Sequence, residues 1–154
     1  MTAASAAKAF SLIGVGLVLD QLTKSWAKIH LPGHPIDLIP KVLALAYVEN
    51  RNAAFGLGSS IPASARLWIL LGLTSLLTLA LALAMIRSAD LASRIGFGMT
   101  IAGALGNIID RARQGYVVDF IYWHGGFSWP NFNVADIMVC VGVGVLVLFG
   151  GRKK

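Results

Sequence analysis

The sequence predicts an all-α polytopic membrane protein, with four transmembrane helices and a small β-containing part on the outer face. Three observations lead there. Hydrophobic residues make up 56% of the 154 and charged residues only 13%, where a typical globular chain carries about 25%. Mean hydropathy is +0.73, and a small soluble globule could not cover its surface with so few polar groups. The apolar residues fall into four stretches, each near the roughly 20 residues that cross a hydrocarbon core. A disulfide scaffold is excluded because Cys140 is the only cysteine.

The first span is read at residues 9–29, with Asp20 and Lys24 in its second half. Lys8 ahead of an apolar run resembles a secretory signal, but no small-residue cleavage site follows, so the segment is expected to be retained. Lys41–Val48 is short, apolar and partly β-branched, which predicts an extended segment before the turn-like Asn50-Arg51-Asn52. The second span, 67–86, has no charge at all, and the third, 91–109, is interrupted only by Arg94. Tyr116–Trp123 is β-branched and aromatic and predicts a second extended segment. Asp136 stands near the start of the last span, 134–149. With no internal repeat and no long linker, residues 1–154 read as a single integral membrane domain.

Four spans place both termini on one side. That side holds Lys8, Arg87, Arg94, Arg152, Lys153 and Lys154 in short tails and one tight loop. Lys24, Lys28, Lys41, Arg51, Arg66, Arg111 and Arg113 are spread over two long connections. The numbers nearly tie, and the denser set predicts cytoplasmic termini. The net charge of +6 is distributed through these gaps rather than on a polar, aromatic-rich face, so no nucleic-acid partner is expected.

Carboxylates in or beside spans each need an explanation. Asp20 and Lys24, four apart on one helix face, can neutralise each other. Asp110 can pair with Arg111 at the interface. Asn133-Val-Ala-Asp136 has the spacing of a helix N-cap with an acid at the third position. Asp119 lies on the extended segment leading to that helix, and the loop holding Gly125, Gly126 and Pro130 is long enough to fold back and bring Asp119 to Asp136. Gly96, Thr100, Gly103, Asn107 and Asp110 share a helix face, as do Asn133, Asp136, Cys140 and Val143. Gly98, Ala102 and Gly106 form a small-residue row for close helix approach. Helix packing accounts for the glycines. It does not account for Asn107, Asp110, Asn133 and Asp136 gathering at one membrane face.

The chain carries no His-Glu-x-x-His, Gly-x-Ser-x-Gly or phosphate-loop motif. His30, His34 and His124 read as interfacial, the Cys140 thiol as inert in an apolar helix. No metal and no cofactor is implied.

Gly103-Ala-Leu-Gly-Asn107-Ile-Ile-Asp110-Arg111, Gly115-Tyr-Val-Val-Asp119-Phe120 and Phe132-Asn133-Val-Ala-Asp136 resemble, in order and spacing, the hallmark blocks of lipoprotein signal peptidases (signal peptidase II). Asp20-Gln-Leu-Thr-Lys24 resembles that family's first-span motif. The resemblance implies an aspartic intramembrane endopeptidase of the bacterial inner membrane, with its site near the outer (periplasmic) face. Its substrate would be a prolipoprotein, cut just before a diacylglyceryl-modified cysteine, with membrane lipids as the other partner and a monomer expected. The catalytic aspartates map onto Asp119 and Asp136. Asn50, Asn107, Arg111 and Asn133 match polar positions of the site, and Asp20, Lys24 and Asp110 match supporting ones. One position departs: Asn52 stands where the family shows glycine, in Asn50-Arg-Asn52-Ala-Ala-Phe55, which predicts a strained positive-φ turn there.

Two carboxylates sharing one proton can activate a water and polarise a carbonyl. The helix start favours charge on Asp136 and leaves Asp119 as the protonated partner, which predicts a bell-shaped pH profile. The rival from another class is a small proton or ion carrier using Asp20, Asp119 and Asp136 as a relay.

Overall fold

The computed structural model describes residues 3–52, 59–127 and 129–151, with side chains from residue 7 onward. The basic tail 152–154 and Ala53, Ala54 and Phe55 of the Asn50 motif lie outside the described residues. The described residues form α1 (Ala3–His30), β1 (Ile36–Ile39), β2 (Leu43–Asn50), α2 (Ala63–Arg87), α3 (Leu91–Gln114), β3 (Val117–Trp123) and α4 (Val134–Phe149). The strands make one antiparallel sheet in the order β1-β2-β3.

Each apolar stretch is a helix, but three helices outrun their stretches. α1 starts at Ala3 and α2 at Ala63, and α3 continues past Ile109 to Gln114. An apolar window marks what suits lipid, whereas a helix ends where its terminal backbone groups find other partners. For α3 those partners are Asp90, whose side chain accepts from Ser93 N at 2.7 Å, and Gly115, left-handed at φ 80. The added turn keeps Asp110 and Arg111 on the helix, on the face of Asn107.

Among the described residues, α2 is the helix long and apolar enough to cross a membrane, while α4 is apolar but only 16 residues long. α1 and α3 are long enough, but Asp20, Lys24 and Lys28 in one, and Arg94, Asp110, Arg111 and Arg113 in the other, dilute their apolar windows. Large apolar side chains nonetheless cover the outside: Leu76 is 68% exposed and Val147 76%.

α3 is the central helix and lies against α1, α2 and α4. Its small residues form two rows. On the α1 side, a Cβ at Gly98 would meet Leu12 and the carbonyl of Ala9, and one at Gly106 would meet the Asp20 carboxylate. On the α4 side, Cβ atoms at Gly96 and Gly103 would run into Gly142 O and Ala135 O. The apolar core of the bundle is built on Ala9, Met85 and Ile101.

β1 was not foreseen; it pairs Ile36 with Leu45 and Ile39 with Leu43. β2 pairs with β3 from Leu43↔Trp123 to Asn50↔Val117, with an irregularity between Leu45↔Ile121 and Val48↔Asp119. One extra β2 residue in that interval switches the faces of its second half. Asn50 thereby lies on the same face as Asp119, one diagonal step away. On the opposite face of β3, Val118 and Phe120 pack on Ala27 and Leu31 at the end of α1 and the turn that follows it.

The positive-φ turn expected at Asn52 is not what forms. Among the described residues the non-glycine with positive φ is Lys41, at 62°. Asn52 instead donates its backbone N–H to Asn50 Oδ1 at 3.0 Å. This Asx turn forms at Asn50–Asn52 without a left-handed residue.

Candidate active site

Asp119 and Asp136 line one cavity of about 280 Å³, together with Asn50, Asn107 and Arg111. The loop between them does fold back. Phe132 N donates to Ile121 O at 3.0 Å, and Phe120 N and Ile121 N donate to Phe132 O at 3.0 and 2.9 Å. That pairing delivers Asn133 to Asp119, and Asn133 then starts α4.

Each carboxylate accepts two N–H groups. Asp119 Oδ1 takes Asn133 Nδ2 at 2.7 Å and Oδ2 takes Asn50 Nδ2 at 2.8 Å. Asp136 Oδ1 takes Asn107 Nδ2 at 2.9 Å and Oδ2 takes the Asn133 backbone N–H at 3.1 Å. Asn133 Oδ1 accepts from Asp136 N at 3.1 Å, completing a capping box at the head of α4. The helix-start reading of Asn133 and Asp136 is therefore correct, and the same two residues also serve the site: Asp136 lines the cavity and the buried Asn133 holds Asp119. Asp119 is 2% exposed. Burial raises its carboxyl to about 6, and the charge of Asp136 adds to the rise. The N–H groups of Asn50 and Asn133 and the charge of Lys24 act in the opposite direction.

Behind the cavity, Lys24 Nζ lies 2.9 Å from Asp20 and 3.3 Å from Asp110. The expected Asp20–Lys24 pair is present, joined by a third member. Gln21 Nε2 donates to both carboxylates at 3.2 Å. Asp110 and Arg111, read as a candidate ion pair, go to different partners. Asp110 takes Lys24, Gln21 and the Val118 N–H, while Arg111 donates to Asn52 O at 3.2 Å. Consecutive residues on a helix diverge by about 100°, which separates these two. Arg111 thus ties the Asn50–Asn52 turn to the cavity wall.

Sequence reasoning did not single out Gln21, or the wall formed by Val117, Trp129, Pro130, Asn131, Phe132 and Val139. Gln21 carried a signal, as a polar residue inside the first apolar stretch. Trp129 and Asn131 carried none, because the fold-back of the loop brings them to the cavity, while Val117 and Val139 are apolar residues of β3 and α4 whose role depends on packing. Cys140, read as an inert thiol, lies in this wall and is exposed. Of the histidines, His30 Nδ1 lies 2.9 Å from Trp26 O and His124 stacks on Tyr122.

The cavity sits at the end of α3 away from Gly151, whose N–H donates to Ser93 Oγ near the start of α3 at 3.2 Å. A solved bacterial membrane enzyme superposes on the chain with TM-score 0.83 at 26% identity, covering 96% of this chain and 93% of that one. A lipoprotein signal peptidase of Clostridium novyi (strain NT) is 39% identical over 150 residues, covering 90% of this chain and 93% of its own. One from Oleidesulfovibrio alaskensis is 40% identical over 132 residues, covering 82% and 83%. The family model described as signal peptidase (SPase) II matches residues 12–150, an interval that includes every polar side chain of the cavity described above. The chain therefore belongs to the signal peptidase II family.

Proposed function

We propose that this chain is an aspartic endopeptidase that removes the signal peptide of prolipoproteins, cutting before a diacylglyceryl-modified cysteine. The observation that carries this reading is the pair Asp119 and Asp136 on one cavity, each held by two N–H donors, with Asp119 raised to about 6. Two neighbouring carboxylates with one proton between them supply both groups that peptide hydrolysis needs.

Asp136, at the head of α4, carries the charge and takes a proton from a water. Protonated Asp119 hydrogen-bonds the scissile carbonyl oxygen as the water oxygen attacks its carbon. The tetrahedral intermediate collapses as the C–N bond breaks and the proton held by Asp136 passes to the leaving amine. Asn50 and Asn133 keep Asp119 aimed throughout, and Arg111 adds a positive charge to the wall.

In this reading all four helices span the bacterial inner membrane, with both termini in the cytoplasm. The cavity then opens at the outer interface, where water is available and the lipid chains of the substrate remain in the bilayer. The test is cleavage of a diacylglyceryl-modified precursor in proteoliposomes. Asp119→Asn and Asp136→Asn should each abolish cleavage while the protein inserts and folds. Full activity in either variant sinks the assignment of the pair.

A further inference from the structure

Two carboxylates behind the cavity each hold the backbone just ahead of a site aspartate. Asp20 Oδ1 accepts from Ala135 N at 2.9 Å, one residue before Asp136. Asp110 Oδ2 accepts from Val118 N at 3.0 Å, one residue before Asp119. Lys24 bridges the two carboxylates with its side chain 3% exposed. An ammonium has three N–H groups, and Lys24 also contacts a third acceptor, Asn107 Oδ1, at 2.9 Å. Neutralising the carboxylates does not require that contact.

The contact bears on the chemistry because an amide side chain can present either end to a neighbour. Asn107 Oδ1 is occupied by Lys24 and by Asn133 Nδ2, the latter at 3.3 Å. Its NH2 end is therefore left to face Asp136. We propose that Lys24 is a positioning residue of the aspartate pair: by holding Asn107 Oδ1 it turns the Asn107 amide to donate to Asp136, while Asp20 and Asp110 hold the backbone beside each aspartate. This rests on the reading of Asp119 and Asp136 as the catalytic pair. The charged or titratable groups facing the pair are Asp20 and Lys24 from α1, Asp110 and Arg111 from α3, and the Cys140 thiol from α4. β2 contributes the neutral Asn50.

The test is the pH profile of kcat/KM, with separate kcat and KM, for precursor cleavage in proteoliposomes. In Lys24→Met only the longer Asn133 bond still holds Asn107 Oδ1, so the amide can turn its oxygen toward Asp136, and a positive charge is lost. Both changes favour protonation of the pair, so the acid limb should move up by about one pH unit. Turnover should fall roughly 100-fold with KM little changed. Lys24→Gln, which retains an N–H donor for Asn107, should keep more of kcat. Asn107→Ala leaves the ion triad in place and should displace the acid limb in the same direction; Lys24→Met added to it should displace it by less than Lys24→Met does alone, because only the loss of charge remains to act. If Lys24→Met does not insert, the Lys24→Gln and Asn107→Ala profiles decide. An acid limb that stays in place in the folded variants, with activity lost only in proportion to folded protein, overturns the role of Lys24. Cleavage by Asp136→Asn would instead overturn the underlying pair, so the two failures are distinguishable.

Discussion

At Asp119 burial and hydrogen bonding oppose each other, and burial prevails. Its carboxyl is raised to about 6, so it is mostly protonated below that pH and loses the proton above it. The proposed chemistry needs that proton. The alkaline limb of kcat/KM, which reports the free enzyme, is therefore expected near pH 6. The Asn50 N–H favours the charged form of Asp119 and so lowers that value. Removing it in Asn50→Ala should move the alkaline limb to higher pH, measurable on the same precursor assay across pH. An alkaline limb that moves down instead would mean that Asn50 acts on the site by some route other than its bond to Asp119.

The helices bring these residues together through glycine rows whose members are not equivalent. A Cβ at Gly103 would strike Ala135 O and Val139, next to the capping box that orients Asp136. Backbone cannot yield as a flexible side chain can, so Gly103→Ala should cost about 1–3 kcal/mol and also reduce cleavage. Gly72, inside α2, has nothing within 4 Å of an added Cβ. Gly72→Ala should therefore gain up to about 1 kcal/mol from helix propensity and leave cleavage unchanged. Thermal unfolding in detergent, run beside the cleavage assay, separates the two. In the sheet, the irregularity in β2 acts at the same scale: it turns Asn50 to the face of Asp119.

For the whole molecule, the bundle has two chemically distinct ends. Gly151 returns to Ser93 at one end of α3, while Asn107, Asp110 and Arg111 sit at the other with the sheet. If the chain spans the membrane as proposed, these ends face opposite compartments. In a Cys140→Ser background, Ser60→Cys should react with an impermeant thiol reagent added to spheroplasts. Ala89→Cys, in the turn between α2 and α3, should react only after the membrane is opened. Labelling of both from outside would refute four spans with cytoplasmic termini.

Composition and local pattern determined a good deal by themselves. The four helices, the extended character of the two intervening segments and the Asn133–Asp136 helix start follow from apolar run length, β-branching and cap chemistry, which act between near neighbours in the chain. The gathering of Asn107, Asp110, Asn133 and Asp136 was visible because helical spacing places them at one level. What only the tertiary structure decided concerns partners distant in sequence. Asp110 prefers Lys24 and the Val118 N–H to its neighbour Arg111, and Asn52 closes an Asx turn instead of adopting positive φ. The β2 irregularity sets which face Asn50 shares, and the loop fold-back puts Trp129 and Phe132 in the cavity wall. Spacing along a chain specifies which residues share a face, but a carboxylate in a confined polar site takes whichever donors packing brings within reach.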